Sequence, residues 1–343
     1  MKHVRWGIIG CGNVTEVKSG PGFQKAQGSE LVAVMRRDAA AARDYAARHA
    51  VPRWYSDADQ LLQDPEVDAV YVATPPGSHM EYALKIAAAG KPAYIEKPMA
   101  RSYAECQRMV EAFASRKLPL FVAYYRRALP RFVKARDLVQ GGAVGTLTGV
   151  LYRCCEPRHR EPANPLPWRL IAEQSGGGIF MDLGSHTLDI IDYIVGPLQE
   201  VTGIAANVAS SYDVEDVVAM SFRTPCGAAG SATWNFASDY RADEIEFIGT
   251  DGRLALSTFA EEPVRLHRGQ SLETFDIRHP PHVQQPLIQT IVDQLLGRGT
   301  CPSTGESAAR TARVMDIVLA GYYGGRNDAW WTRPDSWPGR RRR

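Results

Sequence analysis

VRWGIIGCGNVT, residues 4–15, runs from an apolar segment through a glycine-punctuated turn into the start of a helical pattern. Val4 to Ile9 reads as a buried strand, and Gly10-Cys11-Gly12 falls directly behind it. A fold that binds dinucleotides needs glycines at this place. One lets the chain turn sharply and the next lets the backbone approach a pyrophosphate. The helix opening with Asn13 and Val14 then faces the negative charge. The third small position of a G-x-G-x-x-G spacing falls on Thr15. Alone, this spacing also fits a glycine-rich turn of no special function; the strand–turn–helix setting favours the phosphate reading.

Working outward, further apolar runs stand at residues 31–35, 69–74, 93–96 and 118–123, with a weaker one at Trp54-Tyr55. Alanine-rich stretches at 38–49, 78–89 and 102–116 lie between them and suit amphipathic helices. Apolar strands alternating with helices imply a doubly wound parallel sheet covered on both faces. The pattern changes after Tyr125. A helix at 129–140 ends at Gly141-Gly142, a polar, proline-rich stretch follows at 156–167, and a glycine-led helix is expected over 175–195. Alternating segments at 200–209, 214–223, 227–236, 243–249 and 253–257 predict an open, mostly antiparallel sheet. Helices at 283–296 and 303–323 close the chain. The expected organisation is an α/β dinucleotide-binding domain over 1–124 and an α+β substrate and oligomerisation domain over 125–343.

Composition narrows the function classes. Forty Lys and Arg against 38 Asp and Glu leave a formal charge of +2, without the basic excess of a nucleic-acid binder. The basic run 340–343 reads as a solvated tail. The N-terminus has no signal-peptide pattern, and no apolar run approaches the ~18–20 residues that cross a bilayer, so a cytoplasmic protein is expected. Six cysteines without C-x-x-C spacing are expected to be reduced thiols rather than a disulfide framework or a zinc site.

Three places carry candidate chemistry. An acid at the end of the second strand would bind adenosine ribose hydroxyls and repel a 2′-phosphate. Arg36 stands there with Arg37 beside it, which suits the phosphate of NADP, NAD remaining the alternative. A solvated pair at a helix start is the plainer reading. Tyr94-Ile95-Glu96-Lys97-Pro98 ends the fifth strand, where Lys97 would project toward a bound cofactor and Pro98 could hold a cis peptide; an exposed loop is the alternative. In the glycine-led helix, Asp182, His186 and Asp189 fall at i, i+4 and i+7 on one stripe among Leu183, Leu188, Ile190, Ile191 and Ile194. A carboxylate and an imidazole on an apolar helix serve each other or a ligand. A metal pair lacks an evident third ligand, and no metal is expected.

The phosphate loop, the E-K-P triplet and the D-L-G-S-H helix, in this order, resemble the glucose–fructose oxidoreductase and inositol dehydrogenase (Gfo/Idh/MocA) family. Thr74-Pro75-Pro76 with His79, Tyr125-Arg126-Arg127 and Trp168-Arg169 extend the resemblance along nearly the whole chain. It implies a Rossmann domain followed by a sheet-built second domain. It also implies that Lys97 contacts nicotinamide ribose and substrate, that Asp182 holds a substrate hydroxyl, and that His186 exchanges the proton. Thr74, Pro75, His79, Glu96, Trp168 and Arg169 are implied to line the cofactor cleft. Thr15 departs from the usual Gly or Ala, and Tyr125, the expected further substrate contact, stands where Asn is common. Arg36-Arg37 resembles the NADP-using members. The implied activity is hydride exchange between a nicotinamide and a secondary alcohol or ketone of a sugar, cyclitol or related polyol, by a homodimer or homotetramer. A cofactor-sensing regulator and an NAD-dependent glycosidase are the alternatives. An intact Lys97, Asp182 and His186 argues against the first, and the missing export signal against the second.

Overall fold

The computed structural model describes residues 2–158 and 165–341. Its chain divides into two compact units: Met1–Ala100 with Glu105–Leu129 and Pro280–Ala309, and Arg101–Ala104 with Pro130–His279 and Arg310–Arg343.

The first unit is built on β1 (Val4–Ile9), β2 (Ser29–Met35), β3 (Arg53–Tyr55), β4 (Ala69–Val72), β5 (Ala93–Ile95) and β6 (Leu120–Val122). They pair in parallel in the order β3-β2-β1-β4-β5-β6. All residues of β4 and β5 are buried, which is why these runs are apolar without alternation. The order reverses between β1 and β4, and such a switch point opens a crevice beyond the carboxyl ends of the strands. Helices Ala39–Arg48, His79–Ala88 and Tyr103–Ala114 fall where the alanine-rich stretches predict them.

The segment 280–309 counts with this unit, whereas an uninterrupted division at 124 would leave it with the second. Packing explains the return. Helix Gln285–Leu295 lies against Gly20–Lys25 so closely that a Cβ on Gly22 would stand 2.8 Å from Ile288 Cδ1. The backbone N–H of Gln27 also donates to Gln289 Oε1 at 2.7 Å.

The second unit carries β7 (Leu147–Pro157), β8 (Gln199–Ala206), β9 (Val217–Arg223), β10 (Ala229–Ser238), β11 (Ala242–Gly249), β12 (Arg253–Leu256), β13 (Val264–Arg268) and β14 (Ser271–Phe275). The order is β14-β13-β12-β11-β7-β10-β9-β8, antiparallel except where β7 runs parallel to β10. Sequence alternation does not reveal β7, the strand between β10 and β11, nor the β13–β14 hairpin. The expected helix over 175–195 begins later: Ala172–Ser175 is a separate turn, Gly176 stops it at φ +82°, and the long helix spans Ile179–Val195. That helix packs on the sheet through Phe180, whose ring meets Trp234 edge-on at 4.8 Å. On it Leu188, Ile190, Ile191 and Ile194 are buried as expected, while Leu183 is half-buried.

Candidate functional site

Each unit assembles its own set of the expected residues. In the first, Gly10, Gly12, Arg36, Arg37, Thr74 and Pro75 line one cleft of about 340 Å³ at the carboxyl ends of β1, β2 and β4. Gly10 has φ +89°, and a Cβ there would lie 2.6 Å from Thr74 Cγ2, so the turn requires glycine. Gly12 differs. The nearest atom to a Cβ built on it is 3.9 Å away, so its face toward the cleft is left open. Thr15 is fully buried, and its hydroxyl accepts from the Gly12 N–H at 2.9 Å and donates to the Gly12 carbonyl at 2.8 Å. The residue that breaks the glycine spacing thus braces the loop. Asn13 is exposed and Val14 half-buried at the start of the helix Asn13–Val17.

Arg36 and Arg37 are both exposed on the cleft rim. Asp38 and Tyr82, which sequence reasoning did not single out, line the same cleft. The Asp38 carboxylate accepts from Ala41 N–H at 3.1 Å, capping the helix Ala39–Arg48; its place just before an alanine-rich run is the signal that could have found it. Cys11 also faces the cleft, and burial pushes its thiol up to about 11, which keeps it protonated and unreactive.

Lys97 follows β5, next to β4 in the sheet, and is half-buried; the Lys97–Pro98 peptide is cis. Glu96 and His79 lie deeper than a cleft wall would put them. Glu96 Oε1 accepts from Tyr71 OH at 2.5 Å and from Gln284 Nε2 at 2.6 Å, while its Oε2 accepts from the Lys97 N–H at 3.1 Å. Tyr94 OH donates to Gln284 Oε1 at 2.9 Å, closing the network beneath the lysine. Burial and the adjacent Glu96 push both tyrosines well above their usual values, so both remain hydrogen-bond donors. His79 is fully buried, with both ring nitrogens against backbone carbonyls. Tyr125, also in this unit, is mostly buried, and its hydroxyl accepts from Arg126 at 3.2 Å.

In the second unit, the glycines before the long helix answer to close packing. A Cβ on Gly176 would stand 2.7 Å from the Arg101 backbone, and one on Gly178 would stand 2.4 Å from the Glu215 carbonyl oxygen. Glu215 Oε1 accepts from the Gly178 N–H at 2.9 Å, its Oε2 accepts from Tyr323 OH, and burial pushes its carboxyl up from the usual value. Sequence reasoning did not find Glu215; an acid just ahead of the apolar strand 217–223 was the available signal. From this seat the helix presents Asp182, which is half-buried, and His186, which is 4% exposed and meets the Phe259 ring edge-on at 6.1 Å. Arg169 Nε donates to Asp182 Oδ2 at 2.6 Å, and the Arg169 guanidinium lies 4.4 Å from the centre of the Trp168 ring. Asp189 is buried on the same stripe, and one turn further Asp192 receives two hydrogen bonds from Arg310.

Residues 101–104 are stitched into this second unit. The Arg101 carbonyl accepts from Arg326 at 2.6 Å, and its guanidinium stacks 3.7 Å from the Trp331 ring centre. The Tyr103 N–H donates to Asp316 at 2.7 Å. Of the polar, proline-rich stretch at 156–167, residues 159–164 lie outside the described residues, as do 342–343 of the basic tail. No group of three metal-ligating side chains, and no helix long and apolar enough to cross a membrane, occurs among the described residues.

Residues 4–124 match the oxidoreductase family with an NAD-binding Rossmann fold, and residues 132–255 match the Gfo/Idh/MocA C-terminal domain. Oxidoreductase P35 of Formosa agariphila is 36% identical over 319 residues, covering 92% of this chain and 98% of that protein. The 1,5-anhydro-D-fructose reductase of Ensifer adhaerens is 26% identical, covering 88% and 91%. The crystal structure of aldose-aldose oxidoreductase from Caulobacter crescentus superposes with a TM-score of 0.83 at 23% identity, covering 94% of this chain and 98% of that one. The chain belongs to the Gfo/Idh/MocA family of oxidoreductases. It is an enzyme whose first unit is an NAD-binding Rossmann domain.

Proposed function

We propose that the protein is an NADP-preferring dehydrogenase or reductase acting on a secondary alcohol or ketone of a sugar, cyclitol or related polyol. The observation that carries this reading is the single cleft shared by Gly10, Gly12, Arg36, Arg37, Thr74 and Pro75. A dinucleotide fits the residues present. The open face of Gly12 leaves room for a phosphate, and two exposed guanidiniums suit a 2′-phosphate. The Asp38 carboxylate is engaged with the helix it caps, which favours the arginine pair as the discriminating groups. The relatives named 1,5-anhydro-D-fructose reductase and myo-inositol 2-dehydrogenase support the substrate class.

When bound, the nicotinamide supplies or accepts the hydride. The chain's own residues handle proton and charge. His186 holds the proton of the reacting hydroxyl, a task an imidazole performs in either direction by exchanging its N–H proton. Lys97 stabilises negative charge developing on that oxygen, and Asp182, steadied by Arg169, orients the substrate. Tyr125, Trp168 and Arg169 complete the proposed substrate and cofactor contacts. A homodimer or homotetramer formed through the second unit's open sheet is part of this reading.

The test is absorbance at the nicotinamide band with purified protein, NADP(H) and NAD(H) against a panel of sugars and polyols. A net change with one of them supports the reading. Free sugar released from glycosides without net change, or no change with any compound, contradicts it.

A further inference from the structure

His79 opens the helix His79–Ala88 just behind the turn that carries Thr74 and Pro75. Its ring is wholly buried. Nε2 lies 2.7 Å from the Thr74 carbonyl oxygen; Nδ1 lies 3.1 Å from that of Pro98 and 3.2 Å from that of Met99. Carbonyl oxygens only accept hydrogen bonds, and a neutral imidazole has one N–H. The three oxygens therefore compete for one proton whenever the ring is neutral. Burial pushes this imidazole down from its usual value, against the pull of the carbonyls and the Glu96 carboxylate. A leucine would fill the same space without desolvating two nitrogens, so volume alone does not account for histidine here.

The carbonyls belong to two different loops. Thr74 lines the cleft, and its methyl group is what bars a side chain at Gly10. Pro98 and Met99 directly follow Lys97. We propose that His79 is a positioning residue whose ring donates its one N–H to one side, either the cleft wall at Thr74 or the loop bearing Lys97, and packs against the other, and so sets where that lysine stands relative to the wall. Its meaning for catalysis rests on the oxidoreductase reading above; the tie itself does not.

Two amide substitutions separate the sides of the ring. His79→Asn places an N–H donor near the position of Nδ1, and His79→Gln places one near Nε2, while His79→Leu removes both. Amide hydrogen exchange is followed over residues 73–78 and 96–101, with thermal unfolding as the check on folding. Where the wild-type ring carries its N–H on Nε2, His79→Asn is expected to make residues 73–78 exchange about tenfold faster, with His79→Gln near wild-type protection. Where the N–H is on Nδ1, His79→Gln is expected to loosen residues 96–101 instead, with His79→Asn near wild-type protection, and His79→Leu is expected to loosen whichever segment accepts the N–H. With the active cofactor–substrate pair, the amide variant that loosens a segment should lower kcat about tenfold while its NADPH dissociation constant stays within about threefold of wild type. Equal effects of Asn and Gln on the two segments, or unchanged exchange in a folded His79→Leu protein, would overturn the proposal. If His79→Leu does not fold, the Asn–Gln contrast decides alone. The exchange arm requires neither cofactor nor substrate. Failure of wild-type protein to bind NADPH or NADH therefore counts against the oxidoreductase reading and leaves this result interpretable.

Discussion

Arg169 Nε donates to Asp182 Oδ2 at 2.6 Å, so the carboxylate assigned to orient the substrate is already held by a cation thirteen residues before it. Asp182 has 16% of its side chain exposed and Arg169 has 49%, which makes the pair a rim contact whose net contribution to folding is about 0–1 kcal/mol. Its value lies in orientation. Arg169→Gln should leave unfolding free energy within about 1 kcal/mol of wild type and lower kcat/KM by about tenfold. Denaturant unfolding and steady-state kinetics on the same preparation check both halves.

Two glycines make opposite predictions. A methyl group on Gly178 would stand 2.4 Å from the Glu215 carbonyl oxygen, whereas one on Gly12 meets nothing closer than 3.9 Å. Gly178→Ala should destabilise the fold by about 3 kcal/mol through overpacking. Gly12→Ala should unfold within about 1 kcal/mol of wild type yet weaken NADPH binding at least about tenfold, because its methyl group occupies the open face of the phosphate loop. Fluorescence titration with NADPH beside urea unfolding separates the two effects.

Glu215 predicts a pH dependence with a definite sign. Burial raises its carboxyl above the usual value despite hydrogen bonds from Tyr323 and Gly178. The folded state therefore favours the protonated form more than the unfolded chain does. Its stabilising contribution is fully present below the ordinary carboxyl pKa and is lost as pH rises through the higher folded value. Glu215→Gln cannot ionise and keeps an acceptor for the Gly178 N–H. Wild-type stability should fall relative to this variant as pH rises from about 4. Urea unfolding of both proteins across the acid-to-neutral range measures this, and parallel stability curves would reject it.

Cofactor choice is assigned to Arg36. Arg36→Asp should raise the NADPH dissociation constant at least about tenfold, the loss of a charge-assisted pair, without weakening NADH. Titration with each cofactor reads the difference directly.

The first unit was legible because its strands are buried on both faces and leave uninterrupted apolar runs, as in Ala69–Val72. Legibility failed where that link breaks. In Leu147–Pro157 the inward–outward alternation is interrupted by Cys154 and Cys155, which are both buried, so the strand joining β10 to β11 carried no clean period. Ser271–Phe275 is exposed along nearly its whole length, leaving burial no pattern to write. Candidate site residues were readable where chemistry sits in a short motif: Gly10, Gly12 and Arg36 do line one cleft. The supports were not. Gln284 reaches Glu96 across 188 positions of sequence, and Glu215 reaches Gly178 across 37. Such partners are set by tertiary folding alone.

The acid–base role assigned to His186, which the long helix carries one turn beyond Asp182, has the most direct test. Single-turnover absorbance at the nicotinamide band, run on wild type and His186→Ala with saturating NADPH, isolates that role. The variant should bind NADPH within about threefold of wild type and transfer hydride about 10²–10⁴ times more slowly. Loss of NADPH binding with an unchanged transfer rate in the fraction still bound would contradict it.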